Sequence, residues 1–486
     1  MTLDPHICYR ALKARDARFD GRFFVAVSST RIYCRPVCTV RPAKRENCRF
    51  YPSAAAAESG GYRPCLRCRP ELAPGNASVD ATSRLAQAAA SLIEDRALDG
   101  EGLAAVASHL GITDRHLRRA FGAEFGVSPV EFAQTQRLLL AKRLLTDTSL
   151  PVTEVAYASG FGSLRRFNAL FKQRYRLQPS QLRRHMKDNG TGNSKTVSDA
   201  LNFELSFRPP YDWPAVSAFL GARAIVGVEA VEEGRYRRTA RIPLGGKTHL
   251  GWIEVSPSPK KPTLRVTIAA SLAKALPPVL SRVKALMDLS CNPTEVARAL
   301  GPLAKHRPGL RVPGAFDGFE VAVRAILGQQ VTVAAARTVA GRFAAAFGDP
   351  LDTPFSSLNR IFPSAERIAE LPYGRIARLG MPGARARSVL ALARAVAGGG
   401  LVLMPNADIE ATLDKLRALP GVGEWTAQYI AMRALAWPDA FPHTDLGVMK
   451  ALGETNARRV LAAGEAWRPW RAYAVMHLWQ SLQKKE

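Results

Sequence analysis

Residues 33–70 read YCRPVCTVRPAKRENCRFYPSAAAAESGGYRPCLRCRP and carry five of the chain's seven cysteines. Two close pairs stand out, Cys34-x3-Cys38 and Cys65-x2-Cys68. The N-terminal residues MTLDPHICYRALKARDARFDG lack an apolar signal core, so a reducing compartment is expected. Under reducing conditions, clustered cysteines point to a metal or to reactivity, not to disulfides. Two pairs of thiolates joined by a folded insert suit one tetrahedral Zn2+, with Cys34, Cys38, Cys65 and Cys68 as ligands. Cys8, Cys48 and Cys291 fall outside the pairs and read as small buried side chains.

Outward from this stretch the composition changes in blocks. The chain has 486 residues, too many for one core. Its formal net charge is +27, with basic residues spread through both halves. That balance points to a polyanion, because each neutralised phosphate releases counterions. No apolar run approaches the ~20 residues that a bilayer span needs, so no membrane partner is expected. The first block, 1–78, is rich in Arg, Cys and Pro, with a strand-like run at 23–29. From 82 to 186 apolar residues recur three and four apart, as helices require. Residues 187–200 are polar and Gly/Asn/Ser-rich and read as a linker. From 201 to 307 alternating runs such as LNFELSF and LRVTIAA predict strands. Residues 308–486 read as almost wholly helical.

Within the cysteine block, the words CRP, REN, FY and RPC resemble the N-terminal domain of the Ada DNA-methylation response proteins. The resemblance implies that Cys34 is both a zinc ligand and the acceptor of a methyl group from a methylphosphotriester in DNA. It also implies DNA contacts at Thr30, Arg41 and Arg45. The chemistry is reasonable on its own terms. A metal-held thiolate stays deprotonated and nucleophilic. Methylating one of four thiolates on Zn2+ takes the site from −2 to about −1, so it repels phosphate less.

Two segments of the helical block read as helix-turn-helix units, LAAVASHLGITDRHLRRAFGAEFG at 103–126 and VTEVAYASGFGSLRRFNALFKQRYRLQPSQLRR at 152–184. Asp114–Glu124 and Ser163–Arg174 are the candidate recognition helices, with Arg115, Arg118, Arg165 and Arg166 as base or phosphate contacts. Together the two units resemble the DNA-binding domain of AraC-type transcription activators. The resemblance implies promoter binding and a contact with RNA polymerase.

The Ada resemblance ends there. The Pro-Cys-His-Arg word of the guanine O6-methyltransferase domain is absent. Instead residues 419–450 read LPGVGEWTAQYIAMRALAWPDAFPHTDLGVMK. The Leu-Pro-Gly-Val-Gly run predicts a helix-hairpin-helix turn in which Gly421 and Gly423 let the backbone approach a phosphate. With RPPYDWPAVSAFLGARA, FEVAVRAILGQQVT and WRPWRAYAVMHLWQ, this resembles the AlkA-type 3-methyladenine DNA glycosylases II. The resemblance implies Asp445 as catalytic carboxylate, Trp425, Tyr429 and Trp479 as the base pocket, and Gln330 at the DNA wedge. It also implies a monovalent cation at the hairpin. Where bifunctional relatives carry a Lys nucleophile this chain has Trp425, so base release without strand nicking is expected.

The expected fold is a multidomain α+β chain. It comprises a small four-cysteine zinc α/β domain, an all-α double helix-turn-helix domain, a β-rich AlkA N-terminal-like domain and an all-α helix-hairpin-helix glycosylase domain. The expected function is repair of alkylated double-stranded DNA coupled to transcription activation, by a cytoplasmic, nucleoid-associated bacterial monomer. The alternative is a regulator whose C-terminal half only clamps DNA.

Overall fold

A computed structural model describes residues 4–75, 81–96, 102–188, 200–405 and 408–483. Most of the expected linker, 187–200, lies outside the described residues.

The N-terminal unit is built on a four-stranded sheet in the order Cys48–Tyr51, Phe24–Val27, Ile32–Cys34, Arg63–Pro64. The first three strands pair antiparallel, with Val25 opposite both Cys34 and Phe50. The fourth pairs parallel, Tyr33 opposite Pro64. That one parallel step brings the two cysteine pairs together. Cys34 ends one strand, Cys65 follows its neighbour, and the Cys65 amide donates to the Tyr33 carbonyl at 3.0 Å.

Seven helices follow among the described residues, from Ala81–Arg96 to Pro179–Asp188. Both candidate recognition helices start on a hydroxyl cap. Thr113 accepts from the His116 amide to start Asp114–Phe125, and Ser163 accepts from Arg166 to start Leu164–Tyr175. Such caps contribute about 1 kcal/mol each. The long helix Pro129–Asp147 opens on a capping box of Ser128 and Glu131. Its buried face packs Phe132 against Phe121 and Phe125, with ring centroids at 5.2 and 5.0 Å.

The same long helix receives the N-terminal unit through buried polar contacts. The Lys142 ammonium donates to Glu71 at 2.6 Å and to the Cys65 carbonyl at 3.3 Å. Arg69 bridges Glu71 and Asp147. Glu58 accepts from Tyr33 and Thr135 at 3.1 and 3.2 Å, and burial pushes its carboxyl up to about 7.

From Ala200 the chain forms a five-stranded antiparallel sheet, ordered Ala200–Ser206, Thr263–Ala269, Lys247–Pro257, Arg235–Leu244, Glu229–Glu232. The helix Trp213–Ala222 packs against its Glu229–Glu232 edge. Helices Leu276–Leu286 and Pro293–Leu300 lead into the C-terminal lobe. Among the described residues, that lobe's regular structure is helical apart from one two-residue strand pair, Asp349–Pro350 with Arg360–Ile361. The pair is a docking device. Asn359 and Arg360 amides donate to the Gly227 carbonyl, and Thr239 donates to the Arg360 carbonyl at 2.7 Å. Two-residue strands carry no alternation, so the sequence pattern leaves them unseen.

One hydrophobic core runs from Leu138 in the long helix Pro129–Asp147, through the second helix-turn-helix and the sheet, to Leu478 in the last helix. Arg143 joins the halves, lying over the Phe203 ring at 4.8 Å and donating to the Glu204 carbonyl. No helix among the described residues is long and apolar enough to cross a membrane.

Candidate functional sites: a four-thiol cluster and a carboxylate held by two indoles

The sulfur atoms of Cys34, Cys38, Cys65 and Cys68 all lie within 4.8 Å of one another. Around one Zn2+ with Zn–S of ~2.3 Å, tetrahedral sulfurs would sit about 3.8 Å apart, so the four residues fit the ion. Cys38 and Cys65 are buried, whereas Cys34 and Cys68 are partly exposed. Backbone amides reach three of the sulfurs. Val40 donates to Cys38, Cys68 to Cys65, and Arg35 to Cys68 at 3.4 Å. Arg35 is itself fixed by a buried pair with Asp20 and by the Cys68 carbonyl at 3.2 Å. Thr30 and Arg41 lie exposed near this cluster in the chain. Arg45 is partly buried, its guanidinium over the Phe50 ring at 5.2 Å. Cys8, Cys48 and Cys291 are all buried, as small apolar side chains would be.

On the recognition helices, Arg115, Arg118, Arg165 and Arg166 all face solvent. Arg118 pairs with Asp114 one turn earlier at 2.8 Å.

The second site forms where the hairpin, the last helix and the β-rich domain meet. Gly423 caps the helix Glu424–Arg433 with no side-chain hydrogen bond, so its first amides carry no side-chain cap. Gly421 has φ of +74°, and a Cβ there would lie 2.3 Å from the Ser388 hydroxyl. Gly423 faces open space. Gln329 ties the neighbouring loop to this turn, donating to the Gly421 carbonyl at 2.8 Å and to Thr426 at 2.9 Å. Gln330 beside it is exposed, with φ of +54°.

Asp445 caps the helix Leu446–Leu452 through the Val448 amide at 3.0 Å. Two indoles converge on its carboxylate. Trp425 donates to Oδ2 and Trp479 to Oδ1, each at 2.8 Å. Trp479 can lie so close because residue 447 is glycine. A Cβ there would stand 2.9 Å from the indole Cδ1 and 3.0 Å from Asp445 Oδ1.

Trp425 stacks on Tyr429, centroids 5.4 Å apart and planes at 17°. Tyr429 in turn lies 6.4 Å from Trp479. The fold therefore brings Trp425, Tyr429, Trp479 and Asp445 to one place. It adds a residue the sequence reading passed over, Phe219 on the helix Trp213–Ala222, parallel to Trp479 within 16° at 6.3 Å. Phe219 lies inside a stretch already noted for its resemblance, but only the docking of two domains reveals that it faces Trp479. Arg433 was also missed, although it sits one helical turn after Tyr429 and donates to the phenol oxygen at 2.9 Å. The i, i+4 spacing was the available signal. Of the other tryptophans near the end, Trp470 is core and Trp467 packs at its edge.

Comparison with known proteins gives four matches in order along the chain. Residues 7–71 match the metal binding domain of Ada and residues 106–185 a helix-turn-helix domain. Residues 202–317 match the AlkA N-terminal domain, and 323–461 the HhH-GPD superfamily of base excision DNA repair proteins. A probable bifunctional transcriptional activator/DNA repair enzyme AlkA of Mycobacterium tuberculosis is 40% identical, over 98% of this chain and 96% of its own length. DNA-3-methyladenine glycosylase 2 of Escherichia coli is 36% identical, over 57% of this chain and 96% of its own. The bifunctional transcriptional activator/DNA repair enzyme Ada of Escherichia coli is 38% identical, over 28% of this chain and 36% of its own. Methyl-acceptor, helix-turn-helix and glycosylase domains thus stand together, and the chain belongs to the family of bifunctional transcriptional activator/DNA repair enzymes of the AlkA type.

Proposed function

We propose that this chain excises N-alkylated purines such as 3-methyladenine from double-stranded DNA, and that methylation of Cys34 turns the same chain into a transcription activator. The observation that carries the excision reading is the Asp445 carboxylate, held on both oxygens by Trp425 and Trp479 beside an aromatic pocket.

An N-alkylated purine is cationic, and electron-rich ring faces bind cations. The lesion must leave the helix to reach Trp425, Tyr429 and Trp479. Breaking the glycosidic bond leaves an oxocarbenium-like sugar, and Asp445 stabilises that charge or takes a proton from the attacking water. With Trp425 in place of a lysine, no Schiff base forms, and the product is an abasic site in an intact strand. Gln330 fills the gap left by the flipped base. The amides after Gly423 receive a backbone phosphate, and a monovalent cation held at the hairpin would add positive charge beside it.

For the sensor, Cys34, Cys38, Cys65 and Cys68 would hold one Zn2+. Bound there, the ion keeps the thiols deprotonated near neutral pH. Cys34 is one of the two partly exposed sulfurs, and it stands at the position of the acceptor in the Ada-type pattern. The Cys34 Sγ–methyl bond forms as the methyl–oxygen bond of the phosphotriester breaks, and the phosphodiester departs as an anion. Thr30, Arg41 and Arg45 would contact that DNA, and Arg115, Arg118, Arg165 and Arg166 the promoter. RNA polymerase is the expected partner of the activated form. A monomer in the cytoplasm, with domain limits at 1–78, 82–186, 201–307 and 308–486, completes the reading.

Purified protein and Asp445→Asn, given duplex DNA carrying 3-methyladenine, test the enzyme. Free base from wild type alone, without strand breaks, is the expected result. Release by neither protein would leave the C-terminal half as a DNA clamp.

A further inference from the structure

Gln330, the residue read as the DNA wedge, is exposed and has its backbone in the left-handed region at φ +54°. An L residue with a long side chain resists that conformation, so it persists only where its neighbours over-determine it. Here they do so on both sides. After Gln330, Thr332 caps the helix Val333–Phe347 by accepting from the Ala335 amide at 3.2 Å. Before it, Gln329 is held three times. Its backbone amide donates to the Ile326 carbonyl at 3.3 Å, and its carbonyl accepts from the Arg385 guanidinium. Its side-chain amide spends both protons on the hairpin, one on the Gly421 carbonyl at 2.8 Å and one on the Thr426 hydroxyl at 2.9 Å.

Those two acceptors bracket the uncapped amides after Gly423. Gly421 lies in the turn, and Thr426 lies in the first turn of the helix Glu424–Arg433. A third segment backs both partners. The helix Gly383–Ala397 sends Arg385 to the wedge loop. Ser388, three residues on and so on the same helical face, closes the space behind Gly421. Wedge loop, hairpin turn and helix are thereby tied into one body. The Gln329 amide has no part in the chemistry at Asp445, and with both protons spent it has none left for a phosphate.

We propose that Gln329 is a positioning residue that ties the phosphate-gripping hairpin to the wedge, so that seating a DNA strand on the amides after Gly423 drives Gln330 into the base stack in the same movement. The proposal rests on the glycosylase reading above. Untied, the backbone at Gln330 would relax out of the left-handed region and aim its side chain elsewhere. Tied, its direction is set before DNA arrives, and the free energy of the phosphate contact is available to open the stack. A fully paired lesion needs this coupling most, because extruding a base costs least where pairing is already lost.

The test measures single-turnover release of 7-methylguanine by the full-length chain from two duplexes, one with cytosine opposite the lesion and one with an abasic site there. Gln329→Met keeps the length of the side chain and loses both donors. It should bind undamaged duplex as wild type does, yet release the paired lesion about 10-fold more slowly, the scale of a small misplacement near the reacting group. On the unpaired lesion its loss should be several times smaller. Because Gln329 acts through Gln330, Gln330→Ala should cost far less in the Gln329→Met background than it costs alone. Thr426→Val removes one acceptor with little change of shape. It should repeat the split between paired and unpaired lesions in smaller measure, even if Gln329→Met folds poorly. Equal losses on the two duplexes, no loss on either, or additive effects of the two glutamine substitutions would overturn the proposal. So would a loss of affinity for undamaged duplex large enough to account for the slower release. A wild type that releases base from neither duplex would overturn the glycosylase reading together with it.

Discussion

The two reactive sites of this molecule are built in opposite ways. The four sulfurs come from residues 34–68 and are gathered by a single parallel strand pairing in one small sheet. The carboxylate site draws Phe219, Gln329, Trp425 and Trp479 from four distant segments and two domains. The difference matches the use proposed for each. A sulfur that reacts once needs exposure. A carboxylate that must turn over needs to be held the same way each time, so both its oxygens have donors and its neighbours are packed.

The comparison breaks most completely at Cys34. Cys34→Ser should abolish methyl uptake from methylphosphotriester DNA, and intact-mass analysis of wild type should place the single added methyl on Cys34 and not on Cys65. A methyl on Cys68 instead would show that Cys34 is not the nucleophile. Zinc removal by a chelator should unfold the first 75 residues while leaving the glycosylase domains folded, as circular dichroism and base release would report.

Next in size is the buried cation under the sensor. Lys142→Met leaves Glu71 buried with half its charge compensation, and should cost about 3–5 kcal/mol in denaturant unfolding. The reusable site comes third. Asp445→Asn should lower base release by roughly 100- to 1,000-fold, the scale of losing one well-placed electrostatic group. Gly447→Ala tests the held geometry with a single methyl. The new Cβ must push the Trp479 indole away from Asp445, and base release should fall about 10-fold with a changed tryptophan emission spectrum.

The smallest effect concerns pH. Glu58 titrates near 4.5 when unfolded, and burial raises it to about 7 in the fold. The folded state therefore binds the proton more tightly, so the stabilisation is complete below pH ~4.5 and is lost as pH rises through about 7. Melting temperature should decline over that window, and Glu58→Gln should flatten the decline.

The same contrast governs what the sequence discloses. The cysteine pairs are legible because their ligand spacing is local and few other uses of four thiols survive in a reducing compartment. Trp425, Tyr429 and Asp445 lie in one stretch, the helix Glu424–Arg433 and the cap of the helix Leu446–Leu452, where the resemblance marks them. Phe219 is not, since its neighbour Trp479 lies across a domain boundary and apolar periodicity only marks it as buried. Gly447 is invisible for another reason. A helical glycine looks like a weak choice until the indole that needs its missing side chain is in place. The helical blocks and the five-stranded sheet follow from periodicity, with strands at Ala200–Ser206 and Thr263–Ala269 where alternation marks them. The strand pair at Asp349–Pro350 is too short to leave any pattern.

The unbroken core between Leu138 and Leu478 makes the second candidate recognition helix, Leu164–Tyr175, and the glycosylase parts of one solid. Two DNA-binding faces on one solid keep a set distance and a set rotation. The molecule is then a ruler as well as a repair tool. While it sits on an operator, the lesions within reach would be those on one side of the double helix, and excision nearby would rise and fall with a period of about 10 base pairs.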